Sequence, residues 1–274
     1  MTAVVATLVP VAAERPRWRF VRHSAYLTVR SLRTLWRVPA FAIATLVQPV
    51  IWLLLFGQLF KSVVDIPGFA AGSTSYLEFI TPGVIIMTAL FSSGWAGTVY
   101  IDDMKRGVMD RFLASPVSRG AMMVGTLAYQ AITTVVQTAV VFLIAVVAGA
   151  RFSPAGVGVT FLAAVLISVI IASLSNALAL LLRQQEALIG ISQFVVLPLQ
   201  FVSSALMDLA LAAAWLRGVA RVNPVDWAVV ASREALQAGT DWAAVLIRLG
   251  LLGALALGMA YVATRAFGSY QRSL

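Results

Sequence analysis

Residues 100–120 read YIDDMKRGVMDRFLASPVSRG. Seven of these side chains carry charge, yet the stretch lies between two runs, 80–99 and 121–149, that carry none. Each run is long enough for the roughly 20 apolar residues that a helix needs to cross a hydrocarbon core. A charged turn between two such runs predicts a loop that surfaces between two membrane spans.

Outward from this loop the same alternation continues. Apolar stretches of spanning length occur at 40–60, 80–100, 121–149, 157–182, 187–206 and 243–264, which predicts an all-α integral membrane protein of six spans with both termini on one side. Composition agrees: of 274 residues 61% are hydrophobic and 11% charged, and the mean hydropathy is +0.92. Soluble domains carry about twice that share of charge. No cysteine is present, which excludes a disulfide scaffold, a thiolate metal site and a cysteine nucleophile. The single histidine, His23, sits among arginines and reads as interfacial or packed; no metal chemistry follows.

The formal charge of +9 is distributed by side rather than spread as a nucleic-acid patch. Fourteen bases lie on the side of the termini: Arg15, Arg17, Arg19, Arg22, Arg30, Arg33, Arg37, Lys105, Arg106, Arg111, Arg119, Arg183, Arg265 and Arg272. Five acids accompany them, whereas the opposite side holds six bases and six acids. The positive-inside rule then predicts cytoplasmic termini in the cell membrane. The apolar run 3–13 resembles a signal peptide, but its arginines follow it instead of preceding it, so cleavage is not expected. The chain divides into a tail with an in-plane helix, 1–38, and one six-span domain, 39–274.

Before the first span, Trp18, Val21, Ala25, Val29, Leu32 and Trp36 form an apolar stripe, and Arg15, Arg19, Arg22, Arg30, Arg33 and Arg37 run beside it. Both recur by threes and fours, which predicts an amphipathic helix in the headgroup plane, with membrane lipid as its partner. In the 100–120 loop, Ile101, Met104, Val108 and Phe112 share one helical arc and Asp102, Asp103, Arg106 and Asp110 the other. The reading is a short amphipathic helix ended by Pro116, with Ser118 capping the next span. An apolar arc on a surface loop calls for a groove on another protein.

At this point the chain resembles a known family. The charged turn, the glycine, the short helix and then Leu113-Ala114-Ser115-Pro116-Val117-Ser118-Arg119 are similar to the coupling region of ABC-2 type permease subunits, particularly the daunorubicin-resistance-like drug-export branch. Tyr76-Leu77-Glu78-Phe79-Ile80-Thr81-Pro82-Gly83 resembles that family's entry into the second span. Trp215-Leu216-Arg217 with Asn223-Pro224-Val225-Asp226-Trp227-Ala228 resembles its signature before the last span. The chain departs from the family at Met207–Ala214, which lacks the usual prolines. The resemblance implies two permease copies, identical or paired as a heterodimer, two ABC ATPase subunits, and two half-length helices dipping into the outer leaflet between Ser203 and Thr240. Interfacial anchoring by Trp215 and Trp227 is the plainer reading of that last stretch.

The sequence contains no GxxxxGK[ST] phosphate loop, so the chain is not expected to be an enzyme; ATP and Mg enter only through the partner ATPase. Nor do acids fall at mid-span as a proton relay requires. Coupling is expected to run through Asp102, Asp103, Met104, Arg106, Val108, Arg111, Phe112, Pro116 and Arg119. Gln48, Gln130, Gln137, Asn176, Gln193 and Gln200 either hydrogen-bond between helices or line a path. The expected cargo is a lipophilic or amphiphilic small molecule. Export of a polysaccharide or lipid-linked glycan is the alternative within the family; an integral-membrane enzyme built on Asp102, Asp103 and Asp110 is the alternative outside it.

Overall fold

The computed structural model describes residues 16–37, 39–60, 75–115, 117–206, 213–237 and 240–272, and among them every regular element is an α-helix. The helices are α1 (Pro16–Arg37), α2 (Pro39–Leu59), α3 (Tyr76–Gly94), α4 (Thr98–Lys105), α5 (Val108–Leu113), α6 (Arg119–Val147), α7 (Pro154–Leu182), α8 (Gln185–Phe201), α9 (Ala214–Ala220), α10 (Pro224–Leu236) and α11 (Trp242–Arg272). All six apolar stretches are helical. Four segments among the described residues are long and apolar enough to cross a membrane: Tyr76–Lys105, Arg119–Val147, Pro154–Leu182 and Trp242–Gly268. α2 has 21 residues and no charged side chain, and α8 has 17 residues.

Local signals explain the boundaries. Ser75, Ser118 and Ser153 each accept a hydrogen bond from the backbone N–H three residues on, capping α3, α6 and α7. Pro39, Pro154 and Pro224 each begin a helix, where a missing N–H costs nothing. Residues 207–212, within the proline-free stretch Met207–Ala214, and the signal-like run 3–13 lie outside the described residues.

α7 is the hub, packed by α3, α6, α10 and α11. Its buried face is rich in small residues, among them Ala163, Ala164, Ser168, Ala172, Ser175 and Ala179, which let neighbouring backbones come close. Two apolar clusters result. One joins α3, α7, α10 and α11 around Phe79, Ile86, Leu90, Ile167, Val229 and Leu252. The other lies at the opposite end, around Tyr100, Ile101, Met109, Met123, Leu180 and Phe267.

Between Ser203 and Thr240 stand two short helices rather than a span. α9 leaves Trp215 70% exposed, whereas α10 buries Val225, Ala228, Val229, Ala231 and Ala235 and packs on α7, α11 and α3. A helix of 13 residues with an apolar, buried face is a half-length element of the domain.

The N-terminal helix forms where the sequence reading placed it, and it is amphipathic. The first part of the predicted stripe faces away from the protein: Trp18 is 71% and Val21 60% exposed. α1 instead packs on α6 through Ser24, Leu27 and Thr28, with the Thr28 hydroxyl donating to the Gly125 carbonyl at 3.0 Å. Small polar residues share this contact with Leu27, and hydrophobic periodicity cannot register them.

The crossing of α3, α4 and α7 depends on Gly97. Its N–H donates to Ser175 Oγ at 3.0 Å, and that hydroxyl donates to the Gly94 carbonyl at 2.7 Å. A Cβ on Gly97 would sit 2.3 Å from the Ser175 carbonyl oxygen, against backbone that cannot yield. Gly97→Val is therefore expected to destabilise the detergent-solubilised protein by about 1–3 kcal/mol. Gly250→Val, where a side chain meets open space, should leave the thermal midpoint unchanged.

Candidate functional site

The stretch between α3 and α6 is an elbow of two helices, not one. α4 ends at Lys105, Gly107 takes the left-handed conformation at φ 64°, and α5 runs from Val108 to Leu113. Glycine enters that region without steric cost, so this is the residue at which the chain can turn. The apolar arc read from sequence is consequently split between two short helices.

The arc also faces inward. Ile101 is fully buried in the chain's own apolar cluster, Met104 and Phe112 pack against that cluster, and Met109, which was not on the predicted arc, is fully buried. The elbow thus needs no foreign groove to cover its apolar side. Tyr100 fixes it further: its hydroxyl donates to the Met122 carbonyl at 3.2 Å and shares a hydrogen bond of 2.9 Å with Thr126, while its ring meets Phe267 edge-on. What faces outward is charge, on Lys105, Arg106, Asp110 and Arg111. Asp102 and Val108 are half-buried and Arg119, at the start of α6, is exposed. Asp103 is buried and ion-paired with Arg30 of α1. Pro116 lies outside the described residues.

The uncharged polar residues fall into three groups. Gln130 donates to the Ser92 and Ser93 hydroxyls, each at 3.2 Å, and joins α6 to α3. Asn176 donates to Thr126 at 3.2 Å and joins α7 to α6. Gln137 and Gln200 are buried, with Gln200 donating to the Met87 sulfur at 3.6 Å. Their amide oxygens have no hydrogen-bond partner among the described residues. Gln193 is half-buried, and Gln48 is exposed in an open groove of about 340 Å³ that it lines with Val47, Ile51 and Trp52. The six are thus not one constellation; Gln130 and Asn176, and Gln200 through the Met87 sulfur, act as pegs between helices.

The structure also accounts for the Asn-Pro-Val-Asp-Trp stretch. Asn223 caps α10 through its side-chain oxygen and donates its amide to the Leu199 and Val202 carbonyls at 2.7 and 2.6 Å. Asp226 accepts from the Ser204 N–H at 2.8 Å, and the Trp227 indole donates to the Arg221 carbonyl at 2.7 Å. Arg233, which the sequence reading did not single out, donates to the Ser204 carbonyl at 2.9 Å and lies 3.7 Å over the Phe79 ring. Asp226 and Arg233 are seven residues apart on α10, two helical turns, and that spacing was the available signal.

A family model described as ABC-2 type transporter matches residues 23–236, from α1 through the elbow to the end of α10. The chain belongs to the ABC-2 type transporter family. Among similar proteins, a putative transport permease, ycf38, of Pyropia yezoensis is 31% identical over 79% of this chain and 74% of its own length. The ycf38 permease of Porphyra purpurea is 28% identical over 82% of this chain and 77% of its own. The daunorubicin resistance ABC transporter permease protein DrrB1 of Streptomyces coeruleorubidus is 29% identical, with coverage of 82% and 79%.

Within this ABC-2 permease, Asn223 should be the costliest polar residue of the α8–α10 junction to lose. Asn223→Ala removes a cap and leaves two buried carbonyls without donors, an expected loss of roughly 2–4 kcal/mol. Asn223→Asp keeps the cap acceptor and should show an intermediate thermal midpoint in detergent.

Proposed function

We propose that this permease is the membrane subunit of an ATP-binding-cassette exporter that moves a lipophilic or amphiphilic small molecule, drug- or antibiotic-like, across the cytoplasmic membrane. A separate ABC ATPase, which alone binds ATP and Mg, supplies the energy. The observation that carries the reading is the elbow: a charged outward face, Lys105, Arg106, Asp110 and Arg111, anchored on a buried inner side by Tyr100, Ile101 and Met109. A loop that merely linked two spans would have no need of such anchoring, whereas a lever that receives a push from the cytosol must not bend on its own core.

The six helical stretches are taken as six spans with cytoplasmic termini, in keeping with fourteen bases on that side of the chain. α9 and α10 are taken as the pair entering the outer leaflet. A second permease copy is expected along α2 and α8, where Ile51, Leu55, Phe194 and Phe201 are exposed and Gln48 opens outward. An amide facing lipid is unfavourable, and an interface or a cargo route would relieve it. Gln48 is therefore the polar candidate best placed to meet cargo or the second copy. The drug-like cargo follows the relative named for daunorubicin resistance.

Reconstitution with candidate ATPases tests the assignment. Lipophilic cationic drugs are expected to stimulate ATP turnover and to be cleared from the cytosolic side; stimulation by glycan-linked lipids instead would overturn the cargo class. Arg111→Glu should still insert in the membrane and should lower ATPase co-purification and transport by at least about tenfold, because a charge at a docked face is reversed.

A further inference from the structure

Backbone hydrogen bonds from Arg106 and Gly107 to Asp102 and Met104 form the left-handed turn at Gly107, but no side chain packs there, since nothing lies within 4 Å of where its Cβ would be. The angle between α4 and α5 must then be set by groups that cross the turn. On the buried side Ile101 and Met109 seat the two helices on one apolar cluster. On the other side one residue spans both limbs. The Arg30 guanidinium pairs with the Asp103 carboxylate on α4 and lies 5.2 Å from the centre of the Phe112 ring on α5. The backbone that carries Arg30 is held, because α1 is bonded to α6 two residues earlier through Thr28 and Gly125.

We propose that Arg30 is a positioning residue that locks the elbow angle, making α1 part of the coupling apparatus and giving Asp103 a role inside the chain rather than at an ATPase surface. A planar guanidinium suits the task, since it can bond a carboxylate in its plane and stack on an aromatic ring with its face. Asp103 keeps a side-chain exposure of only 10%, so a docked partner finds little of it to touch. The nearby charges that do face outward, Lys105, Arg106, Asp110 and Arg111, remain for the partner. This inference rests on the reading that the elbow receives an ATPase.

The test uses the full chain with its ATPase. The absence of cysteine lets spin labels be placed on Arg33→Cys and Ala114→Cys, both at exposed positions on α1 and at the end of α5. Arg30→Gln is expected to keep ATPase co-purification within about twofold, to broaden the label-to-label distance distribution, and to lower transport per ATP hydrolysed by about fivefold. The swap Arg30→Asp with Asp103→Arg should narrow the distribution again and recover part of the transport ratio, though not the stacking on Phe112. Should Arg30→Gln fail to accumulate, Phe112→Leu keeps the ion pair, removes the ring and should lower the ratio as well. An unchanged distance distribution and transport ratio in these variants would overturn the lock. Loss of co-purification in Arg111→Glu alongside that result would leave the ATPase reading standing; full binding and transport in Arg111→Glu would overturn the ATPase reading instead.

Discussion

Hydrocarbon offers no hydrogen bonds, and the architecture of this chain is largely the consequence. A backbone group left unpaired in that medium costs several kcal/mol, so the apolar stretches have no choice but helix. The same cost falls on every helix end and bend within the layer. It is met here by side chains of unusual economy: Asn223 satisfies an N-terminus and two carbonyls of α8, Asp226 takes the Ser204 N–H, and Arg233 takes the Ser204 carbonyl. α10 can sit against the bundle because these three residues tie it to the end of α8 and the turn that follows.

That constraint also ranks the polar residues of the spans. Gln130 with Ser92 and Ser93, Asn176 with Thr126, Thr126 with Tyr100, and Ser175 with Gly94 and Gly97 tie α3, α4, α6 and α7 together. α2 and α8 have fewer ties of this kind among the described residues, and they are where large apolar side chains such as Leu55, Phe194 and Phe201 remain uncovered. The bundle therefore has a cross-linked body that includes the first limb of the elbow, and α2 and α8 each pack on that body with fewer such ties. Ring contacts from Trp52 through Phe56 and Phe60 to Tyr76 and Phe79 join α2 to the body along the end remote from the elbow.

Apolarity made the six helical stretches legible in the sequence, since a membrane span is recognised by length and composition without any need for periodic pattern. Serine caps and helix-opening prolines were legible for the same local reason. The elbow was legible as amphipathic but not as broken: Gly107 fits a continuous helical arc as readily as a left-handed turn, and only the packing of Met109 on one side and Phe112 on the other decides between them. Nor can an apolar arc declare whose surface it covers. Ile101 and Met109 cover their own bundle, leaving charge outward. α1 shows the reverse case, in which a conspicuous stripe through Trp18 and Val21 faces away from the protein while Ser24 and Thr28, nearly silent in hydropathy, share the contact with Leu27.

A transmitted push needs stiffness at the point of entry and freedom further on. The elbow has the first, through Tyr100 on α6, Ile101 and Met109 in the buried cluster, and Arg30 across the turn. Displacing it would displace α3, α6 and α7 with it, because hydrogen bonds between small side chains at close-packed crossings resist shear more than apolar contact alone does. Relative motion would then concentrate where ties are fewest, between the cross-linked body and α2 with α8. Gln48 lies on the outward face of α2, in a groove lined by residues of that helix, so it stands away from the seam between α2 and the body.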